Sequence, residues 1–249
     1  MVITIILLSC SLKDQSKEEW HSIFNGEDME GWTIKITGYP TGINYNNTFS
    51  AEGGILRVSY DNYERFNGEF GHIFYNEKLS SYKLRLKYRF TGEQVEGGPS
   101  WGYRNSGVML HGQSAESMLV GQDFPVSIEA QFLGGDGASE RSTLNVCTPG
   151  TNIVIDGELI RRHCTNSSSV TYHGDMWVSA EVVVYADSII HHLVEGDTVM
   201  TYYQAQIDGN DLPEGFPLPD ATPLGTGYIS LQAESHPVEF RDIEILRIK

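Results

Sequence analysis

The residues best suited to chemistry lie on short stretches of alternating character. In Ser127-Ile128-Glu129-Ala130-Gln131-Phe132, the residues Ile128, Ala130 and Phe132 point one way, and Ser127, Glu129 and Gln131 the other. Tyr228 to Glu234 likewise sets Tyr228, Ser230, Gln232 and Glu234 opposite Ile229, Leu231 and Ala233, with His236 and Arg241 close behind. Trp101 to His111 carries Arg104 and places Asn105, Gly107, Met109 and His111 on one face, and Gly71 to Tyr75 adds His72 and Tyr75. An apolar face backed by Ser, Glu and Gln is how a β-sandwich carries a polar groove, in which Glu and His can act as acids and bases. The competing interpretation of each stretch is a solvent-facing strand side.

Motifs of other chemistries are missing. The chain has no HExxH, GxxxxGK[ST] or GxGxxG. His191 and His192 are adjacent on a strand, so they point to opposite faces and cannot chelate one metal. A retaining sandwich glycosidase needs two carboxylates about 5 Å apart. The Ser127-Glu129-Gln131 face supplies one, and Glu234 could supply a second from a neighbouring strand. The loop Gly134-Gly135-Asp136-Gly137 could contribute to a structural Ca²⁺ site, but such Gly-Asp loops are usually turns, so the expectation is no metal and no cofactor.

The elements that must position these residues are strands. Tyr82, Leu84, Leu86, Tyr88 and Phe90 alternate with Lys83, Arg85, Lys87 and Arg89, the pattern of a half-buried antiparallel strand with a solvated basic face. Further strands are predicted at Gly54–Tyr60, Asn152–Ile155 and Val238–Ile248. A meander runs through Trp177–Tyr185, Ile189–Val194 and Thr198–Gln204, with polar turns at 186–188 and 195–197. Helical periodicity is confined to a short turn at Ser114–Leu119. Many short strands without βαβ alternation predict an all-β sandwich or barrel. The two strands after the Pro-rich stretch 212–223 cannot form a core alone, so one domain is expected. With 17 Lys and Arg against 33 Asp and Glu, the net charge of −16 argues against nucleic acid as a partner and against an anionic lipid surface for the folded domain.

At the N-terminus, the apolar run Val2 to Leu8 is followed by Ser9-Cys10, which resembles the lipobox of a bacterial lipoprotein signal, although no Lys or Arg precedes it. It predicts a signal peptide at 1–9, lipidation of Cys10, a polar tether at 10–19, and a domain at 20–249 that is exported and lipid-anchored in the periplasm or at the cell surface. The membrane would be met only through that anchor. In an oxidising compartment Cys147 and Cys164 could pair, since a hairpin turning near Asp156-Gly157 would bring them together.

Taken together, the motifs resemble a known family. Phe24-Asn25-Gly26-Glu27-Asp28-Met29-Glu30-Gly31-Trp32 resembles the opening of the DUF1080, or 3-keto-disaccharide hydrolase, family. Arg104 to His111, Ser127 to Gln131, and Gly227 to Glu234 followed by Val238 to Ile243 resemble its central and closing strands. The resemblance runs from about Trp20 to Ile248. It implies a concanavalin A-like jelly roll of the lectin and glucanase type, common in lipoproteins of gut Bacteroidetes, and activity on glycosides already oxidised at C3 of the sugar. A ketone there acidifies the C2 proton and places the C1 leaving group β to the carbonyl, so one base can start an elimination that water later completes. Glu129 or His111 is the expected base. Arg104, Asn105 or Gln131 would hold the enolate oxygen, and His236 or Glu234 would protonate the leaving oxygen. Gln232, His72, Tyr75 and Trp101 would line the groove. The alternatives are a carbohydrate-binding protein of the same fold, using Trp101, Tyr103 and Tyr228 as platforms, and a two-carboxylate glycosidase acting through Glu129 and Glu234.

Overall fold

The computed structural model describes residues 19–248; the expected signal segment, Cys10 and nearly all of the tether lie outside the described residues. The strands begin with β1 (His21–Ser22), β2 (Trp32–Ile36), β3 (Phe49–Glu52), β4 (Ile55–Val58), β5 (Gly71–Tyr75) and β6 (Ser81–Phe90). Next come β7 (Asn105–Gly112), β8 (Ile128–Leu133), β9 (Asn145–Cys147), β10 (Thr151–Ile155), β11 (Glu158–Ile160) and β12 (Cys164–Thr165). The last are β13 (Val178–Tyr185), β14 (Ile189–Val194), β15 (Asp197–Ile207), β16 (Tyr228–Ala233) and β17 (Val238–Arg247).

Among the described residues they form two antiparallel sheets, the jelly-roll sandwich expected. One sheet has seven strands in the order β12-β9-β8-β7-β16-β5-β2. The other has ten, in the order β11-β10-β15-β14-β13-β6-β17-β4-β3, with β1 added on β17. The core lies between them. Leu84, Leu86 and Tyr88 of β6 meet Val108, Ile128, Ala130 and Phe132 of the smaller sheet, and the rings of Tyr88 and Phe132 stack at 4.3 Å. Each fully buried Leu, Ile, Val or Phe of this set contributes about 1.5–3 kcal/mol. That energy fixes the parity of β8, because a one-residue slip would turn Glu129 and Gln131 into the core.

The basic face of β6 is solvated and paired: Arg85 with Glu244, Lys87 with Asp242, and Arg89 with Glu239. The first two, more exposed, are worth about 0–1 kcal/mol each and hold little of the fold, whereas Glu239 of the third is buried. The two adjacent histidines diverge as expected, with His192 buried between the Leu144 carbonyl and the Tyr202 hydroxyl and His191 beside Thr201.

Cys147 and Cys164 are joined, directly opposite each other on β9 and β12. The chain between them leaves the smaller sheet, forms the β10–β11 hairpin around Asp156-Gly157 on the edge of the larger one, and returns. The bond therefore staples an excursion that bridges both sheets. Replacing both cysteines by serine is expected to lower unfolding free energy by about 3 kcal/mol, the loop-closure value for a span of this size, measured by urea titration.

Candidate functional site

The face of the seven-stranded sheet turned away from the core carries a row of polar residues. Asn145 registers with Gln131, and Gln131 with Gly107. One step beyond the Leu231–Val108 pair, Gln232 lies beside Gly107; it also registers with His72, which faces Lys35. Six strands thus contribute one row, and its only residue without a side chain is Gly107. Glu129 fills that space. A Cβ built on Gly107 would lie 2.6 Å from Glu129 Oε1, so the carboxyl folds over the glycine from the neighbouring row.

Glu234 follows β16 on the same face, and Glu129 and Glu234 line one cleft. Both are buried, and Glu129 Oε1 and Glu234 Oε2 have no hydrogen-bond partner within the described protein. Burial pushes Glu129 up from 4.5 to about 8. Glu234 is raised well above the usual carboxylate range, first by burial and then by repulsion from Glu129, against an opposing pull from Arg141. Removing an ionised carboxylate from water costs several kcal/mol, so the pair holds protons at pH values where exposed glutamates have lost them.

The donors nearby are oriented by their neighbours. The Ser167 backbone N–H donates to Asn145 Oδ1 (2.9 Å), so Asn145 must present its NH₂ group to Gln131 Oε1 (3.0 Å). That leaves the NH₂ group of Gln131 as its donor toward the cleft it lines. Arg141, from the loop between β8 and β9, donates through Nη1 to the carbonyls of Tyr103 (2.6 Å) and Gly134 (2.8 Å) and brings a fixed positive charge to the wall. Asn105 donates to the Trp101 carbonyl (3.1 Å), while its Oδ1 is buried and unpartnered.

The cleft has a volume of about 800 Å³, larger than one sugar ring requires and within the range of small-molecule sites. One wall is aromatic. Trp101, 49% exposed, stacks on Phe70 at 5.5 Å, and Phe70 packs on Phe124 at 5.1 Å. The disulfide and Pro149 also line the cleft.

Five of the expected catalytic and substrate-binding residues line the cleft, Glu129, Glu234, Asn105, Gln131 and Trp101, together with Tyr103 of the carbohydrate-binding alternative. His72 and Gln232 are on the same face but wholly buried, with no hydrogen-bond partner on either side chain among the described residues. Burial and the Lys35 charge press His72 down to about 3.

Four expectations are corrected. His111 is not on the cleft face. It has φ +51° at a bulge where the β7–β16 register shifts, which turns its ring inward to the Ala186 carbonyl (3.1 Å) and the edge of Tyr82. Tyr75 is three residues from His72 and so faces the other way, packing on Trp32 and donating to Glu77. Arg104 is engaged outside the cleft by the Gly174 carbonyl and Asp175. His236 is buried between Phe90 and Tyr103 and held near 4 by burial and by Arg104, so it is neutral and does not line the cleft. Two cleft residues, Arg141 and Phe124, had no signal in the sequence, since both sit in loops without strand periodicity. Asp136 of the loop considered for Ca²⁺ caps a turn by accepting from the backbone N–H groups of Ala138 and Ser139.

Comparison with known proteins bears on the family and the fold. The family model of the 3-keto-alpha-glucoside-1,2-lyase-like domain matches residues 19–246. The chain belongs to that family. This 3-keto-alpha-glucoside-1,2-lyase-like protein shares its fold with two crystal structures from Parabacteroides distasonis ATCC 8503, both provisionally named glycosyl hydrolases. They are 18% and 17% identical, with TM-scores of 0.53 for each. The first alignment covers 92% of this chain and 100% of the other, and the second 96% and 99%. No curated protein matches the chain. Family membership places it among 3-keto-glycoside hydrolase-like proteins, and the solved structures share its fold.

Proposed function

We propose that the protein cleaves 3-keto-glycosides by removing the C2 proton and eliminating the C1 substituent, with Glu129 as base and Glu234 as acid. The observation that carries this reading is the pair of buried carboxyls facing one cleft, each with an oxygen that no group among the described residues engages. Glu129 loses its proton first and takes the proton from C2. The electron pair passes into the C2–C3 bond and the C3 oxygen, where Gln131 and Arg141 supply donor and charge. It then returns to form the C1–C2 double bond as the C1–O bond breaks, and Glu234 gives its proton to the departing oxygen. The product is an enone. Water adding at C1 completes a net hydrolysis.

A base with raised proton affinity suits this step, because its pKa moves toward the working pH and strengthens it as a proton acceptor. The sign of the pH dependence follows. kcat/KM should rise with pH through an apparent value near 8 as Glu129 ionises, then fall as Glu234 does, and a rate profile on a 3-keto-glucoside measures this. An ordinary glutamate base would instead plateau by pH 6.

A conventional two-carboxylate glycosidase is the second reading, favoured by the shared cleft. It would use the same pair, one carboxyl ionised and the other protonated, so the two readings differ in the substrate and not in the direction of these shifts. Incubation with matched glucosides and 3-keto-glucosides separates the two. Release of aglycone from the keto substrate alone supports the elimination, and equal release from both removes it. Binding without product supports a lectin.

A further inference from the structure

Glu234 is followed by Ser235, which lies in the left-handed region at φ +79° and is fully buried. That turn is pinned from two sides. The Ser235 N–H donates to the Tyr60 hydroxyl (2.7 Å), and Gln94 Nε2 donates to Ser235 Oγ (2.8 Å). The same Nε2 donates to the Pro99 carbonyl (2.8 Å), at the entry to the 3₁₀ turn Ser100–Gly102 that carries Trp101. The two turns are also in direct contact. A Cβ on Gly102 would lie 2.6 Å from the Glu234 carbonyl oxygen, and one on Gly98 would lie 2.6 Å from Gln94 Nε2. No side chain fits between them.

We infer that Gln94 is a positioning residue that ties the Glu234 turn to the Trp101 turn, so that the acid and the aromatic wall of the cleft are set as one unit. This rests on the acid role proposed for Glu234. One amide group makes both bonds, and removing it frees a non-glycine residue from a backbone conformation that it adopts only under constraint.

The test uses two 3-keto-glucosides, one with a methyl aglycone, which leaves only with a proton, and one with a nitrophenyl aglycone, which leaves without one. Gln94→Leu, and the same-shaped Gln94→Glu that cannot donate, should lower kcat on the methyl substrate by about 10- to 100-fold, the cost of misplacing a reacting group. On the nitrophenyl substrate kcat should change by less than about threefold by the same reasoning. The ratio of the two rates does not depend on the fraction of folded protein. Equal losses on both substrates, or no loss, would overturn the inference. Glu234→Gln on the same pair is the reference. A bias there without one in the Gln94 variants defeats this inference alone, and no bias there removes the acid assignment as well.

Discussion

Glu129→Gln is expected to lower kcat on a 3-keto-glucoside by about 10³-fold, with KM within a few-fold of wild type, since general-base groups contribute on the order of 10²–10⁴. Glutamine keeps the shape over Gly107 and the contact with substrate but cannot accept the C2 proton. The same variant should be more stable than wild type at alkaline pH. Glu129 binds its proton more tightly when folded than when unfolded, rising from 4.5 to about 8. The stability associated with the neutral carboxyl is therefore complete below about pH 4.5, and it is lost as pH rises toward 8. The melting temperature of Glu129→Gln should match wild type near pH 4 and exceed it increasingly up to pH 8. A variant that loses both activity and stability at pH 8 would mean that Glu129 is a structural residue.

Gly107→Ala is expected to lower kcat by about 10²-fold through Glu129, the usual consequence of moving a reacting group by an ångström or so. Its backbone is not in the left-handed region, so alanine is not excluded by conformation. The obstacle is contact: the new methyl would lie 2.6 Å from Glu129 Oε1 and 2.9 Å from its Cγ, and the carboxyl would have to leave its place. Because the effect passes through Glu129, Gly107→Ala added to Glu129→Gln should cost little further activity, a coupling that a double-mutant cycle measures. Additive losses would show that the glycine acts on something else, such as the path of β7.

The sequence carried the parity of the strands and with it most of the cleft floor. Ile128, Ala130 and Phe132 had to be buried, so Glu129 and Gln131 had to face away, and the same logic placed Gln232 and Glu234. Parity failed where the backbone stopped alternating. A single left-handed residue turned His111 inward, and nothing in Val108-Met109-Leu110-His111 announces a bulge. Tyr75 was a counting matter, since residues three apart on a strand cannot share a face. The charged side chain in the wall was the other gap. Arg104 and Arg141 are both near the cleft, but loop closure decides which enters, and only the three-dimensional path of 134–143 shows that Arg104 goes to Asp175 and Arg141 to Tyr103 and Gly134. The pairing of Cys147 with Cys164 was readable because the turn between them sits near the midpoint of the loop it closes.

The most direct test of the account is the fate of hydrogen at C2. A 3-keto-glucoside deuterated at C2 should react more slowly than its protiated form, and the product should emerge with that deuterium exchanged for solvent hydrogen. Cleavage with no isotope effect and with the deuterium kept at C2 would contradict proton abstraction by Glu129 and leave direct hydrolysis by the two carboxyls in its place.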